Sequence, residues 1–169
     1  MRKSRISGNV LRGVVEGSMI KKILVLLFLI IGTGAYGQAM VSEDVVKAAF
    51  IFHFINFVEW NDHQPEYYIC IPDDDSFRAS VEGSLKWKVI NGRKIVVVNR
   101  SDTCHILVSD NVPKTDSMLT IGPLAKGALL EFRVVENKLK FAASLQNIKK
   151  SKLKISSQLL KLAILEKGS

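Results

Sequence analysis

A small single-domain α/β sandwich, a mixed sheet of about five or six strands with helices on both faces, is the fold class this sequence predicts. Three observations predict it. Short, almost continuously apolar runs such as Tyr67–Ile71, Ile95–Val98 and Cys104–Ser109 read as strands buried on both faces. Stretches of helical spacing precede, separate and follow them. No repeat, low-complexity segment or linker divides residues 38–169.

Ser42-Glu43-Asp44 opens the first helix, a capping residue followed by acids in the first turn. The helix is expected to run through Val45 to Trp60. Phe50, Ile51, Phe54, Phe57 and Val58 form its core stripe. Val45, Ala49, Phe52, His53 and Asn56 fall on the other side. That second face reads either as a self-association or client-docking surface or as core covered by the C-terminal helix.

Tyr67–Ile71 is the first strand. Asp73-Asp74-Asp75 follows it, at the position where open α/β sheets bind ligands. The loop reads as a helix cap supplied by Asp75 or Ser76, or as the rim of a ligand pocket. Phe77, Val81 and Leu85 mark a second helix, and Asn91-Gly92 a tight turn. Strands are expected over Arg93–Asn99, Cys104–Ser109 and Met118–Ile121. Glu136-Asn137 joins a hairpin of Ala128–Val135 with Lys138–Ala142. Ser144 caps a short helix. Ser156 or Ser157 caps a last one carrying Leu159, Leu160, Leu162, Ala163 and Leu165.

The N-terminus reads as an address. Lys21 and Lys22 precede nine apolar residues, 23–31, and Ala35 and Gly37 supply a small-x-small site before Gln38. Nine apolar residues are too few for a bilayer, which needs roughly 20. Residues 1–37 are therefore expected to be a cleavable signal peptide, with the true start at Met19, and residues 38–169 an exported domain. The chain carries 24 Lys and Arg against 16 Asp and Glu, a net +8. Residues 1–37 hold six of the bases and one acid, leaving 18 bases and 15 acids for the domain. A net +3 argues against a nucleic-acid partner.

Export favours pairing the two cysteines, Cys70 and Cys104; the alternative is two buried thiols at strand ends. His53, His63 and His105 form no zinc-type motif, so neither a metal nor a cofactor is expected. The sequence contains no nucleophile elbow, phosphate loop or catalytic triad pattern, which favours a binding protein over an enzyme. Seven lysines between residues 138 and 161 stand without an acid, as a basic face or as solvated surface.

Several blocks taken together resemble the YfiR-like family. They are Val46-Lys47-Ala48-Ala49-Phe50-Ile51 with Phe54, Phe57 and Trp60; Ile69-Cys70-Ile71; the Asp-rich loop before Phe77; Asn91-Gly92-Arg93; Cys104-His105-Ile106-Leu107; and residues 153–163. The resemblance implies a small α/β periplasmic regulator acting by protein–protein contact. Its partner would be a membrane signalling protein, a diguanylate cyclase or a sensor kinase, engaged through the periplasmic part. It also implies cyclic-di-GMP and biofilm output and sequestration by an outer-membrane lipoprotein, whereas a homodimer is an expectation from the second face of the first helix, read as a self-association surface. The family's named member has a second cysteine pair nearer the C-terminus; this chain has only Cys70 and Cys104. A small-molecule sensor feeding a membrane receptor is the alternative.

Overall fold

The computed structural model describes residues 41–100 and 102–167. The expected signal peptide and its cleavage site lie outside these residues.

Helix α1 spans Glu43–Phe57. Ser42 caps it, its Oγ accepting the Val45 amide at 3.4 Å. The helix ends three residues before the expected Trp60, because Val58 turns extended. Val58–Glu59 then form a short strand, β1, which pairs antiparallel with β9, Lys154–Ile155. Trp60 still closes the helix end, its Nε1 donating to the Ile55 carbonyl at 2.9 Å.

Strand β2 (Glu66–Cys70) leads to α2 (Asp75–Leu85). The cap of α2 is Asp74, rather than Asp75 or Ser76; its Oδ1 accepts the Phe77 amide at 2.8 Å. Strands β3 (Val89–Ile90) and β4 (Arg93–Val98) form a hairpin around Asn91-Gly92. Both turn residues have positive φ, 51° and 79°, which is what a twist-matched two-residue turn demands. Strands β5 (Ile106–Val108) and β6 (Leu119–Ile121) follow. A second hairpin joins β7 (Leu130–Val135) to β8 (Lys138–Ser144) through Glu136-Asn137, both again at positive φ. Ser144 caps α3 (Leu145–Lys150). Ser156 caps α4 (Ser157–Leu162). The chain then enters a strand, β10 (Ile164–Glu166), where helix was expected to continue through Leu165.

The main sheet has eight strands in the order β10-β8-β7-β6-β5-β2-β4-β3, more than the five or six expected. The excess comes from the short edge strands β3 and β10. Strands β4, β2, β5, β6 and β7 run parallel; β3 and β8 reverse against their neighbours, and β10 is parallel to β8.

One face of this sheet makes the core. Tyr67, Ile69, Ile95, Ile106, Leu119, Ile121, Leu130 and Phe141 lie on it, each less than a tenth exposed. Side chains from all four helices join that cluster. Phe54, fully buried, stacks on Phe132 and meets Phe141 edge-on at a centroid separation of 5.0 Å. The opposite face carries Cys70, a smaller cluster of Leu124, Ala128 and Ala142, and an ion-pair ladder joining Arg133 to Glu131 and Glu166. The helical cover expected on both faces is thus concentrated on one.

Candidate functional site

Three regions hold the residues singled out by sequence. The first is the outer face of α1. Val45, Ala49, His53 and Asn56 are exposed, and Phe52 is half-buried at the margin of the core. The opposite stripe goes inward as expected: Ile51, Phe54 and Val58 are buried and Phe50 and Phe57 pack against them. Helix α4 leaves the outer face open; it sends Leu159, fully buried, into the core cluster.

The second region is the crevice at the carboxyl ends of the parallel strands. Strand order reverses at β2, so β2 and β5 leave in divergent directions and a gap opens beyond them. Asp73 follows β2 and Ser109 follows β5. The Ser109 hydroxyl donates to Asp73 Oδ2 at 2.5 Å and accepts the Asn111 amide at 2.9 Å. A cleft of about 390 Å³ lies here, with an apolar floor that includes Ile71, Phe77 and Phe132. Its polar lining is mostly acidic: Asp44, Asp73, Asp74, Asp110 and Glu131 against the single Lys47. Gly122 belongs to the wall. A Cβ there would meet the Ser109 carbonyl oxygen at 2.2 Å, so only glycine lets β6 pass the end of β5. Of the three aspartates proposed as a rim, Asp73 and Asp74 line the cleft. Asp75 turns away to pair with Arg78 at 2.6 Å.

The third region is the cysteine bridge and its neighbours. Cys70 and Cys104 are disulfide-bonded with Cα atoms 5.9 Å apart. The bridge ties the end of β2 to the segment entering β5. Beside it lies a cluster that sequence reasoning missed. His105 is buried; its Nδ1 accepts the Tyr68 amide at 3.0 Å and its Nε2 lies 3.2 Å from Asp62 Oδ2. Arg93 Nη2 donates to Asp62 Oδ1 at 2.8 Å and to the Glu66 carbonyl at 2.9 Å. The Arg93 guanidinium also stacks on Tyr67, 3.8 Å from the ring centroid. Desolvation pushes the His105 pKa below its ordinary value, with Arg93 acting the same way and Asp62 opposing. For Asp62, burial raises the pKa, but the Gln64 amide, His105 and Arg93 outweigh it and hold the carboxyl below its usual range. One sequence signal was available: a histidine inside an otherwise apolar strand must find polar partners once buried.

Among the described residues, no group of three or more His, Cys, Asp or Glu side chains could hold a metal ion. No helix among them is long and apolar enough to cross a membrane.

A disulfide-tied α/β domain with an open helix face and a strand-end cleft is the class of protein these features define. Residues 44–164 match the YfiR/HmsC-like family model, and the chain belongs to that family. The family is one of periplasmic regulators of membrane signalling, not of enzymes. The comparison with individual curated proteins returns no match.

Proposed function

We propose that this protein is exported to the periplasm and restrains a membrane diguanylate cyclase by direct contact, with the outer face of α1 as the docking surface. The family match over residues 44–164 carries this reading. The exposure of Val45, Ala49, His53 and Asn56 supports the choice of surface, because a helix whose inner side already fills the core has apolar residues to spare outward. Release of the brake raises cyclic-di-GMP and with it adhesion and biofilm. An outer-membrane lipoprotein that sequesters the protein, or a homodimer through the same face, would compete with the cyclase for it.

A clean deletion tests the proposal. Cyclic-di-GMP is expected to rise and to return to its starting level on complementation. Unchanged cyclic-di-GMP would redirect the search to a sensor kinase as client, and unchanged kinase output as well would defeat the regulatory reading.

The strand-end cleft favours a second reading, in which the protein senses a small ligand and reports it to a membrane receptor. Asp73 and Asp74 would then be the polar rim over an apolar floor. Protection of the cleft from hydrogen exchange by a periplasmic extract, lost in Asp73→Asn, would support this reading over the first.

A further inference from the structure

The corner between α2 and β3 projects a side chain that the core does not use. Trp87 is 85% exposed, the most open large hydrophobic residue among those described. Its position is built in. Leu85 and Ile90, on either side, are 3% and 4% exposed and anchor the segment in the core. The Lys86 amide donates to the Glu82 carbonyl and the Lys88 amide to the Leu85 carbonyl, both at 2.8 Å, so backbone bonds on either side of Trp87 hold the turn. Val89, two residues on, is 56% exposed and shares the outward side with Trp87, since Ile90 points inward.

The charge around these residues has one dominant sign. Lys86 Nζ stands 5.4 Å from the Trp87 ring centroid, and Lys88 Nζ stands 5.9 Å from that of Phe52. Lys94, opposite Val89 in the hairpin, is exposed as well. Two acids stand nearby, Glu82, exposed on α2, and Glu66, the ladder neighbour of Lys94 in β2, but among the described residues neither forms an ion pair with Lys86, Lys88 or Lys94. Strand β3 is also the outermost strand of the sheet, and among the described residues no strand pairs with it on that side.

We infer that the Lys86–Val89 corner is a contact site for an anionic lipid bilayer. An exposed tryptophan between lysines fits the bilayer interface: the indole settles at headgroup level while the ammonium groups meet the lipid phosphates. A second copy of the chain would bring like charges together at this corner. Trp87 stands at a turn, outside the strand-end cleft. Such a contact would hold the protein at the membrane surface and turn one fixed side toward it. The inference stands apart from the identity of any client.

Vesicle sedimentation tests it, using the protein purified from cells and vesicles of phosphatidylglycerol in phosphatidylcholine, with pure phosphatidylcholine as comparison. Binding is expected only with phosphatidylglycerol, weakening as salt screens the lysines. Tryptophan emission should shift to the blue. Trp87 would be the source, because Trp60 is already half-buried and bonded to Ile55. Trp87→Ala should lower the apparent partition coefficient on the order of tenfold. Lys86→Gln and Lys88→Gln should each lower it about fivefold. Lys149→Gln with Lys150→Gln, on α3, should leave it unchanged. All variants lie on the surface and should melt with the parent. Absence of binding to phosphatidylglycerol at low salt would overturn the inference. So would equal binding by Trp87→Ala, or a loss caused by the α3 pair instead. If Trp87→Ala kept full vesicle binding but lost client inhibition, the corner would be a protein contact and the lipid assignment wrong.

Discussion

The imidazole of His105 accepts the backbone amide of Tyr68 through Nδ1, at 3.0 Å. This bond fixes the tautomer. In the neutral ring the single proton must sit on Nε2, where it donates to Asp62 Oδ2. Arg93 Nη2 lies 2.9 Å from that same nitrogen, but its two hydrogens go to Asp62 and to the Glu66 carbonyl. Asp62 thus holds two donors together. A second proton on His105 would face the Tyr68 N–H and stand beside a fixed guanidinium.

Stability should therefore fall on mild acidification. The folded His105 pKa lies below the ordinary 6.5, so the unfolded chain takes up this proton first. The loss begins as pH drops through about 6.5 and ends once pH is below the folded value. Asp62 adds a separate loss below its ordinary 3.8, because its folded pKa is depressed. Urea midpoints measured from pH 8 to pH 5 should show the first loss, and His105→Gln should remove it. The same variant should cost about 1–3 kcal/mol at pH 8 through imperfect replacement of the buried bonds. A pH-independent midpoint in the parent protein would contradict the tautomer assignment.

Removing the disulfide should cost more than a surface change. Cys70 and Cys104 are 34 residues apart, and the chain-entropy model gives such a loop roughly 3–4 kcal/mol. Cys70→Ser should approach that loss in chemical denaturation. Peptide mapping without reductant should yield one linked pair, and two alkylated thiols in the oxidised protein would refute the bridge.

The two sides of α1 should respond oppositely to mutation. Phe54→Ala empties a fully buried aromatic site and should cost about 3–5 kcal/mol. Ala49→Arg, on the exposed side, should change stability by no more than about 0.5 kcal/mol while releasing the client. Phe52→Asp is the less clean probe, because Phe52 packs partly against the core and its loss mixes both effects. Full inhibition by Ala49→Arg, with Phe54→Ala destabilised as stated, would remove this face as the docking surface.

Gly122→Ala should destabilise by about 1–3 kcal/mol, since the new methyl collides with the Ser109 carbonyl. It should also move the Ser109–Asp73 bond, and with it the cleft. Thermal melting gives the first effect, and the Ser109 and Asp73 amide shifts in nuclear magnetic resonance the second. A neutral substitution would mean that the ends of β5 and β6 are looser than described.

Features written in neighbouring residues could be read before folding was known. Ser42 as a cap, the turns at Asn91-Gly92 and Glu136-Asn137, and the inward stripe of α1 each depend on residues within a turn or two of one another. Local sterics and side-chain period dictate them. The family blocks were legible for a similar reason, since each is a short run in fixed order. Strands β1, β3, β9 and β10 were not legible, because two or three residues carry no period and become strands only where a partner edge supplies hydrogen bonds. Leu165 shows the limit: its leucine-rich run reads as helix, yet pairing with Ala143 of β8 makes it strand.

By itself, then, the sequence determined an α/β chain, its turns and the caps at Ser42 and Ser144, its single possible cysteine pairing and its family. Tertiary structure decided which aspartates line the cleft, that the outer face of α1 stays open, and that Asp62, Arg93 and His105 meet. Those three lie 31 and 12 residues apart along the chain and share no helix or strand. Their meeting follows from the strand order that sets β4 and β5 on either side of β2, a choice made by burying one continuous apolar face and not by any local preference.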